Sequence, residues 1–400
     1  MTPGARVAAA IDIIDRWAAG SDGLDRVLAA WGRQNRYAGG GDRRAIADLV
    51  YGAVRRLRSA LWTVGSPSDD VGPTLPEAPG RPALIGSLRL DGQDPTALFT
   101  GDGHAPAPLC PSETAALALS TAPRGVRLDL PDWLLAPDRL GAWPDAVLAP
   151  LRARAPLYLR VSRRQAGSSE VAIAALADDG IAAEPGPLAE GCLRVVAGAR
   201  RVTASRAFAE GLVEIQDAAS QAVAEFARAE LPETPLVLDL CAGGGGKALA
   251  LADALPAGAR IVAHDIDATR LAELGPRAAR AGLEIETRAP GSLADLHGRA
   301  DLVLVDAPCS GSGAWSRNPD AKWRLSPPAL ARLTDTQTAL LAEAARLVRP
   351  AGQVVYATCS LMAVENRTAV AAAPLSCIED RSWTPLEGGD GFYAARLSLS

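Results

Sequence analysis

The alternation of apolar runs with helical stretches between residues 215 and 358 most constrains how this chain can fold. The apolar runs lie at 236–240, 260–265, 301–306 and 353–358, and the helical stretches at 247–254, 268–281 and 328–347. Strands that alternate with helices are typical of an α/β fold with a doubly wound, mainly parallel sheet. Ligands of such sheets bind at the carboxyl ends of the strands, so the residues that follow each run are the candidate functional residues.

Two further segments precede this α/β region. We predict a helical domain over residues 1–140, a small α+β module over 145–213 and the α/β domain over 214–400, because a chain of 400 residues favours more than one domain. Apolar residues recur at helical spacing in three N-terminal stretches, Ala5–Ala19, Leu24–Gly32 and Arg43–Leu61. Asp42 is the predicted N-cap of the third stretch.

The module shows a different pattern. Residues 157–161 alternate between apolar and polar like a strand, and residues 192–196 and 201–203 are predicted to form further strands. A helix is predicted over residues 169–178.

Several functional classes are excluded by composition and spacing. The chain contains six cysteines without a CxxC pair and three histidines without metal-ligand spacing, so we predict free thiols and no metal site. It has no apolar run long enough to span a bilayer, and Asp12 and Asp15 interrupt what would be a signal peptide. We therefore expect a cytoplasmic protein without a membrane partner.

Basic residues are distributed unevenly in this acidic chain. The net charge is −5, but residues 1–60 hold ten arginines against six aspartates, and residues 150–206 hold nine arginines against five acids. These stretches are either solvated helix faces or local RNA-binding surfaces. Only two of the 41 basic residues are lysines, Lys247 and Lys322, and both lie in candidate motifs.

A glycine-rich turn follows the first apolar run of the α/β domain. Its residues, Cys241, Ala242, Gly243, Gly244, Gly245, Gly246 and Lys247, are the candidate cofactor-binding loop. Glycines allow a ligand to approach the backbone, and the following helix N-terminus offers free N–H groups. The turn is not a P-loop, because Ala248 stands where a magnesium-binding hydroxyl would be.

Acids and cysteines follow the next runs. Asp265 ends the second run, where a carboxylate can accept hydrogen bonds from ribose hydroxyls, whereas Asp267 could simply cap a helix. Asp306 and Cys309 follow the third run, and Cys359 follows the fourth. A single buried cysteine is often inert, but two at neighbouring strand ends indicate thiolate chemistry.

These motifs together resemble those of the Sun-type RNA (cytosine-5)-methyltransferases. The resemblance is carried in order by Gln216–Ser220, Asp239–Lys247, Asp265–Asp267, Asp306–Ser310, Asn318–Arg324, Tyr356–Ser360 with Glu365 and Asn366, and Gly389–Tyr393. It covers about residues 145–400. The segment Asp42–Arg55 is similar to the NusB-like helical RNA-binding domain of bacterial small-subunit ribosomal RNA methyltransferases.

The resemblance implies a Rossmann-like methyltransferase domain that uses S-adenosylmethionine, acts on RNA, most simply small-subunit ribosomal RNA, and works as a monomer. It also implies that Cys359 is the nucleophile, that Cys309 assists release, and that Asp306 contacts the cytosine and the cofactor. Spacing alone does not decide between the two cysteines. Lys322 would contact an RNA phosphate or stabilise its loop.

The chain departs from the family pattern at two places. Gly243 and Gly244 stand where Ala-Pro is usual, and residues 287–290 contain no acid at the third strand end. Two alternatives therefore stay open beside the ribosomal RNA enzyme: a cytosine-5 methyltransferase of transfer RNA, and a non-catalytic RNA-binding or assembly protein on the same fold.

Overall fold

The computed structural model describes residues 1–67, 71–72, 74–229 and 231–399. Its α-helices are α1 Pro3–Ala19, α2 Leu24–Gln34, α3 Gly40–Arg55, α4 Leu57–Thr63, α5 Gly80–Leu90, α6 Pro111–Thr114, α7 Arg124–Leu128, α8 Asp145–Leu148, α9 Ser169–Asp178, α10 Arg206–Ala209, α11 Ala218–Arg228, α12 Gly246–Ala254, α13 Ala268–Leu271, α14 Leu274–Arg280, α15 Ala321–Arg324, α16 Pro327–Leu347 and α17 Arg367–Ala371. Its strands are β1 Leu157–Val161, β2 Ala182–Pro185, β3 Cys192–Ala197, β4 Val213–Ile215, β5 Leu236–Asp239, β6 Arg260–His264, β7 Glu286–Arg288, β8 Ala300–Asp306, β9 Val348–Thr358, β10 Ser376–Trp383 and β11 Phe392–Ser398.

The residue contacts group the chain into two compact units. Unit 1 consists of Met1–Arg154 together with Trp315–Pro327, and unit 2 of Ala155–Ala314 together with Pro328–Ser400. The three-domain division at residues 140 and 213 stays a prediction.

Unit 1 is helical. Helices α1 to α5 enclose a core that includes Ile13, Trp17 and Val50, all fully buried. The predicted N-cap of the third helix is wrong: α3 begins after Gly39, and Asp42 lies in its first turn. There the Asp42 carboxylate accepts hydrogen bonds from the Met1 amino group and from Arg6 Nε, so this side chain is engaged by α1 and its N-terminus.

The segment Trp315–Pro327, which we call the docking segment, packs into unit 1 although it is distant in sequence. Trp323 is fully buried in the helical core and donates a hydrogen bond from Nε1 to the Val54 carbonyl at 2.8 Å. Lys322 donates to the Arg55 carbonyl at 2.8 Å, and Asp320 accepts from Leu24 N at 3.0 Å. Side chains of the Asn318–Arg324 motif are therefore part of the core and the helix ends of the helical unit.

The first sheet of unit 2 has four antiparallel strands in the order β2-β3-β1-β4. The helix predicted over residues 169–178 is confirmed as α9. The strand predicted over 201–203 is wrong, since Ala199–Ala204 form a 3-10 helix after Gly198, whose φ is +76°. Only Val202 is buried in that helix, so the stretch lacks the two buried positions that a half-buried strand needs.

The second sheet of unit 2 has seven strands in the order β10-β11-β9-β8-β5-β6-β7. Strands β9, β8, β5, β6 and β7 are parallel, and β11 and β10 add an antiparallel edge. The predicted Rossmann-like α/β fold is confirmed. The C-terminal strands were not predicted, because β10 is exposed along nearly its whole length and shows no apolar alternation.

A buried ion pair connects the first sheet of unit 2 to helix α12. Arg160 on β1 donates to Asp253 on α12 at 2.7 Å, and both side chains are at most 10% exposed. Ser162 Oγ also donates to Asp253 at 3.0 Å.

Among the described residues, no helix is both long and apolar enough to cross a membrane.

Candidate active site

The glycine-rich turn lies between β5 and α12, at the carboxyl end of the sheet. Gly243 and Gly245 adopt φ angles of +54° and +81°, which favour glycine. A Cβ on Gly245 would lie 2.2 Å from Leu274 Cδ1, so the turn also needs glycine for its packing against α14. Ala242 N donates to the His264 carbonyl at 2.9 Å, which ties the turn to the end of β6.

Asp265 holds the same turn from the neighbouring strand end. Its Oδ2 accepts from Gly243 N at 2.7 Å and its Oδ1 accepts from Asp267 N at 2.8 Å, and the residue is 6% exposed. Asp267 is the N-cap of α13, as its capping interpretation predicted. Between them, Ile266 is 86% exposed, an apolar side chain at the strand end that sequence reasoning missed.

Two arginines lie against the turn at Gly243 and Gly244. Arg277 on α14 donates to the Gly244 carbonyl. A Cβ on Gly243 would lie 2.7 Å from Arg270 Nη2, so alanine there would force this guanidinium to move. The Gly-Gly departure is thus matched by the space that Arg270 and Arg277 occupy.

Asp239 at the end of β5 is a buried carboxyl group that no side chain satisfies. It is 1% exposed, and among the described residues no side chain donates a hydrogen bond to either of its oxygens; the backbone N–H of Cys241 interacts with it only weakly. Burial, and then the nearby charge of Asp306, raise the pKa of Asp239 to about 7. A buried polar group of this kind is costly unless a ligand or water satisfies it.

Buried Lys247 forms an ion pair with partly exposed Asp306 beside Asp239. Lys247 Nζ lies 2.7 Å from Asp306 Oδ2 and 4.9 Å from the centre of the Phe392 ring. Burial alone would lower the pKa of Lys247, but the attraction of Asp306 outweighs it and raises that pKa. Lys247 is therefore a fixed cation that orients the Asp306 carboxylate.

The two cysteines meet at the ends of β8 and β9. Cys309 Sγ lies 3.4 Å from Cys359 Sγ, and both residues are half-buried. The hydrogen bond to Cys359, followed by burial, raises the pKa of Cys309 well above that of an ordinary thiol. Such a pair can supply one sulfur nucleophile and one thiol donor.

Glu365 and Asn366 support the end of β9, a role that the sequence motif did not reveal. Asn366 accepts a hydrogen bond from Thr358 Oγ1 at 2.6 Å and donates to the Ser360 carbonyl at 2.8 Å. Tyr356 donates to the Glu365 carbonyl at 2.7 Å. The backbone on both sides of Cys359 is therefore fixed by side chains.

All the predicted catalytic and cofactor-binding residues lie in unit 2, at the carboxyl ends of β5, β6, β8 and β9. Lys322 does not join them; it belongs to unit 1 and its side chain is fully buried, which does not fit a contact with an RNA phosphate. In the described part of the chain, no group of three His, Cys, Asp or Glu side chains is arranged to hold a metal ion.

Residues 229–385 match the family model of the 16S rRNA methyltransferases RsmB/F. This part of the chain is an RsmB/F-type methyltransferase domain. It is 33% identical over 289 residues to ribosomal RNA small subunit methyltransferase B of Klebsiella pneumoniae, covering 67% of this chain and 65% of that protein. The protein of that name from Pasteurella multocida is 32% identical over 297 residues, with 67% of this chain and 64% of that protein covered. The chain thus spans just under two thirds of the length of these relatives.

Solved structures share the fold of this chain. The crystal structure of PH0851 has a TM-score of 0.76 at 21% identity, with 100% of this chain and 99% of that chain covered. NSun6 from Pyrococcus horikoshii, solved with SFG, has a TM-score of 0.58 at 17% identity over 70% of this chain and 99% of that chain. The predicted likeness to Sun-type methyltransferases is confirmed.

Proposed function

We propose that this chain methylates carbon 5 of a cytosine in small-subunit ribosomal RNA, with S-adenosylmethionine as the methyl donor. The observation that carries the proposal is the pair of thiols of Cys309 and Cys359, 3.4 Å apart at neighbouring strand ends. Methylation of a nitrogen or oxygen requires no cysteine pair, whereas carbon 5 must first be activated by addition of a nucleophile to carbon 6.

The names of the relatives support RNA as the substrate. The family model and the curated relatives are described as methyltransferases of 16S or small-subunit ribosomal RNA. An enzyme with this substrate acts in the cytoplasm. Cytosine-5 specificity is inferred from the cysteine pair.

The residues at the carboxyl edge suit S-adenosylmethionine. The buried carboxyl of Asp239 offers an acceptor for an ammonium group, and the turn Cys241–Lys247 offers backbone N–H groups. Asp265 would accept from ribose hydroxyls, and exposed Ile266 would cover an adenine face. The cofactor, once bound, supplies an electrophilic methyl group.

Cys359 acts as the nucleophile in the proposed mechanism. Its sulfur forms a bond to carbon 6, and the ring becomes nucleophilic at carbon 5. N3 of the cytosine takes up a proton from solvent as this bond forms, and the Asp306 carboxylate, oriented by Lys247, accepts a hydrogen bond from the protonated N3 edge. After carbon 5 carries the methyl group, a base removes its proton and the bond between carbon 6 and sulfur breaks. The Cys309 thiol donates a hydrogen bond to the departing Cys359 sulfur.

Asp265→Ala should weaken binding of S-adenosylmethionine by about 1–3 kcal/mol, because the ribose hydroxyls and two backbone N–H groups lose their acceptor. Isothermal titration calorimetry of the full chain measures the change. Exposed Asp335, on α16 and outside the site, provides the control Asp335→Ala, which should leave the affinity unchanged. Equal affinity in the two variants would remove Asp265 from the cofactor site.

Exposed arginines of unit 1 are the proposed contacts to the RNA backbone. The sequence groups five arginines within residues 43–58, but Arg58 is fully buried and donates to the Leu130 carbonyl at 2.6 Å. Buried Arg58 is therefore unable to contact RNA, whereas Arg43 and Arg44 on α3 are exposed.

The double variant Arg43→Ala, Arg44→Ala should bind RNA more weakly, with the slope of log K against log salt reduced by about 1–2. Fluorescence anisotropy with labelled ribosomal RNA fragments at several salt concentrations measures both. Exposed Arg332 on α16 supplies the control Arg332→Ala. If the double variant keeps the slope of the unmodified protein, this face of α3 does not contact the RNA.

A further inference from the structure

Glu365 joins the two loops that carry the cysteines. It is fully buried, and its Oε1 accepts from Ser310 N at 2.8 Å and from Gln337 Nε2 at 3.2 Å. Its Oε2 accepts from the hydroxyls of Ser310 and Ser360. These serines directly follow Cys309 and Cys359, so one carboxylate holds both cysteines through their neighbours.

Further hydrogen bonds make the connection between the loops rigid. Ser312 Oγ lies 3.0 Å from Ser360 Oγ and accepts from Leu361 N at 2.9 Å, and Gly313 N donates to the Cys359 carbonyl at 3.0 Å. Loss of the carboxylate would leave several donors unsatisfied at the centre of this network.

The surroundings of the two sulfurs differ in charge. All the donors described for Glu365 are neutral groups, and its negative charge disfavours a thiolate at Cys309. Lys247, by contrast, is a cation at the same edge of the sheet, and Asp306 and then Cys359 raise its pKa, so this positive charge persists near Cys359. Tyr356 on β9 also interacts with Cys309, and burial raises the pKa of this tyrosine, so it stays neutral.

We propose that Glu365 is a positioning residue that fixes the spacing of the two sulfurs and, through its buried charge between their loops, makes the two thiols unequal in reactivity. The part of this proposal that concerns catalysis rests on the proposed methyl transfer. The effect of Glu365 on the two thiols is a property of the free protein and can be measured without RNA.

The first test measures alkylation of each cysteine by iodoacetamide in the full chain as a function of pH, resolved by peptide mass spectrometry. In the unmodified protein, Cys359 should react at lower pH than Cys309. In Glu365→Gln, which removes the charge at nearly constant size, the midpoint for Cys309 should fall by about one pH unit or more. The exposed Glu284 gives the matched control Glu284→Gln, which should behave like the unmodified protein.

The second test separates the charge from the hydrogen-bond connection. Ser360→Ala keeps the carboxylate but removes its link to the Cys359 loop, so the difference in alkylation pH should persist. The kcat for methyl transfer should fall at least about fivefold, with KM values for RNA and S-adenosylmethionine unchanged, because about 1 kcal/mol of positioning is lost.

Two results would overturn the role of Glu365. One is a folded Glu365→Gln protein in which the difference in alkylation pH between Cys309 and Cys359 is unchanged. The other is an unchanged kcat in Ser360→Ala, and this second result is decisive if Glu365→Gln does not fold. A third result would separate the two proposals. If the unmodified protein methylates no RNA, but the alkylation difference between its cysteines is present and becomes smaller in Glu365→Gln, the proposed function is overturned and the role of Glu365 in the pair stands.

Discussion

Cys359→Ala should abolish methyl transfer and form no covalent complex with RNA. Without the sulfur, carbon 6 cannot be activated, and the rate should fall by at least about 10⁴-fold, as for loss of other covalent nucleophiles. Cys309→Ala should still attack and methylate, but the adduct should persist, because the thiol 3.4 Å from the departing sulfur is missing. A denaturing gel with labelled RNA and S-adenosylmethionine shows the adduct as a slowly migrating band.

The exposed Cys377 provides the control, since Cys377→Ala should methylate normally without a stable band. A band in Cys359→Ala and none in Cys309→Ala would reverse the two roles. Normal methylation by Cys359→Ala would contradict nucleophilic attack by that sulfur altogether.

Lys322→Met should change how the stability of unit 1 depends on pH. Burial lowers the pKa of Lys322 to about 7, whereas an unfolded lysine titrates near 10.5. Between these values the unfolded state binds more protons than the folded state, so stability should rise with pH, by up to about 1.4 kcal/mol per unit. The variant lacks this titration, and its stability relative to the unmodified protein should fall as pH increases from 7 to 10.

Urea unfolding followed by tryptophan fluorescence measures this effect, because seven of the eight tryptophans belong to unit 1. The stability of the variant is compared with that of the unmodified protein at each pH, so the contributions of titrating tyrosines and cysteines cancel in the difference. Arg332→Ala, a surface change in unit 2, controls for loss of a positive charge. A constant stability difference across this pH range would show that Lys322 is not a buried titrating amine.

The pattern of apolar runs was sufficient to predict the parallel strands β5, β6, β8 and β9, because each is buried and bounded by turn residues. The helix predicted over residues 268–281 is instead divided into α13 and α14 around Ala272 and Glu273. The third helix was likewise predicted as continuous to Leu61 but is interrupted at Arg56, whose φ and ψ are −118° and 35°. Apolar spacing continues through such breaks, so periodicity does not reveal them.

Contacts between distant segments could not be predicted from local pattern. Lys322 and Trp323 were recognised as unusual, but their partners, the carbonyls of Arg55 and Val54, lie more than 260 positions away. Candidate site residues were found because each follows a strand, and that rule applies to Asp265, Asp306, Cys309 and Cys359 alike. Glu365 follows no strand directly, and its importance depends on hydrogen bonds that only the folded chain reveals.

Release of tritium from small-subunit ribosomal RNA labelled at carbon 5 of cytosine tests the proposed reaction most directly. Methylation at carbon 5 displaces the hydrogen on that atom, so the unmodified protein should release one tritium into water for each methyl group transferred, and Cys359→Ala should release none. Methyl incorporation without tritium release would place the reaction at another atom and contradict the proposal. If neither tritium release nor methyl incorporation occurs with any ribosomal or transfer RNA, the result would favour a non-catalytic RNA-binding protein.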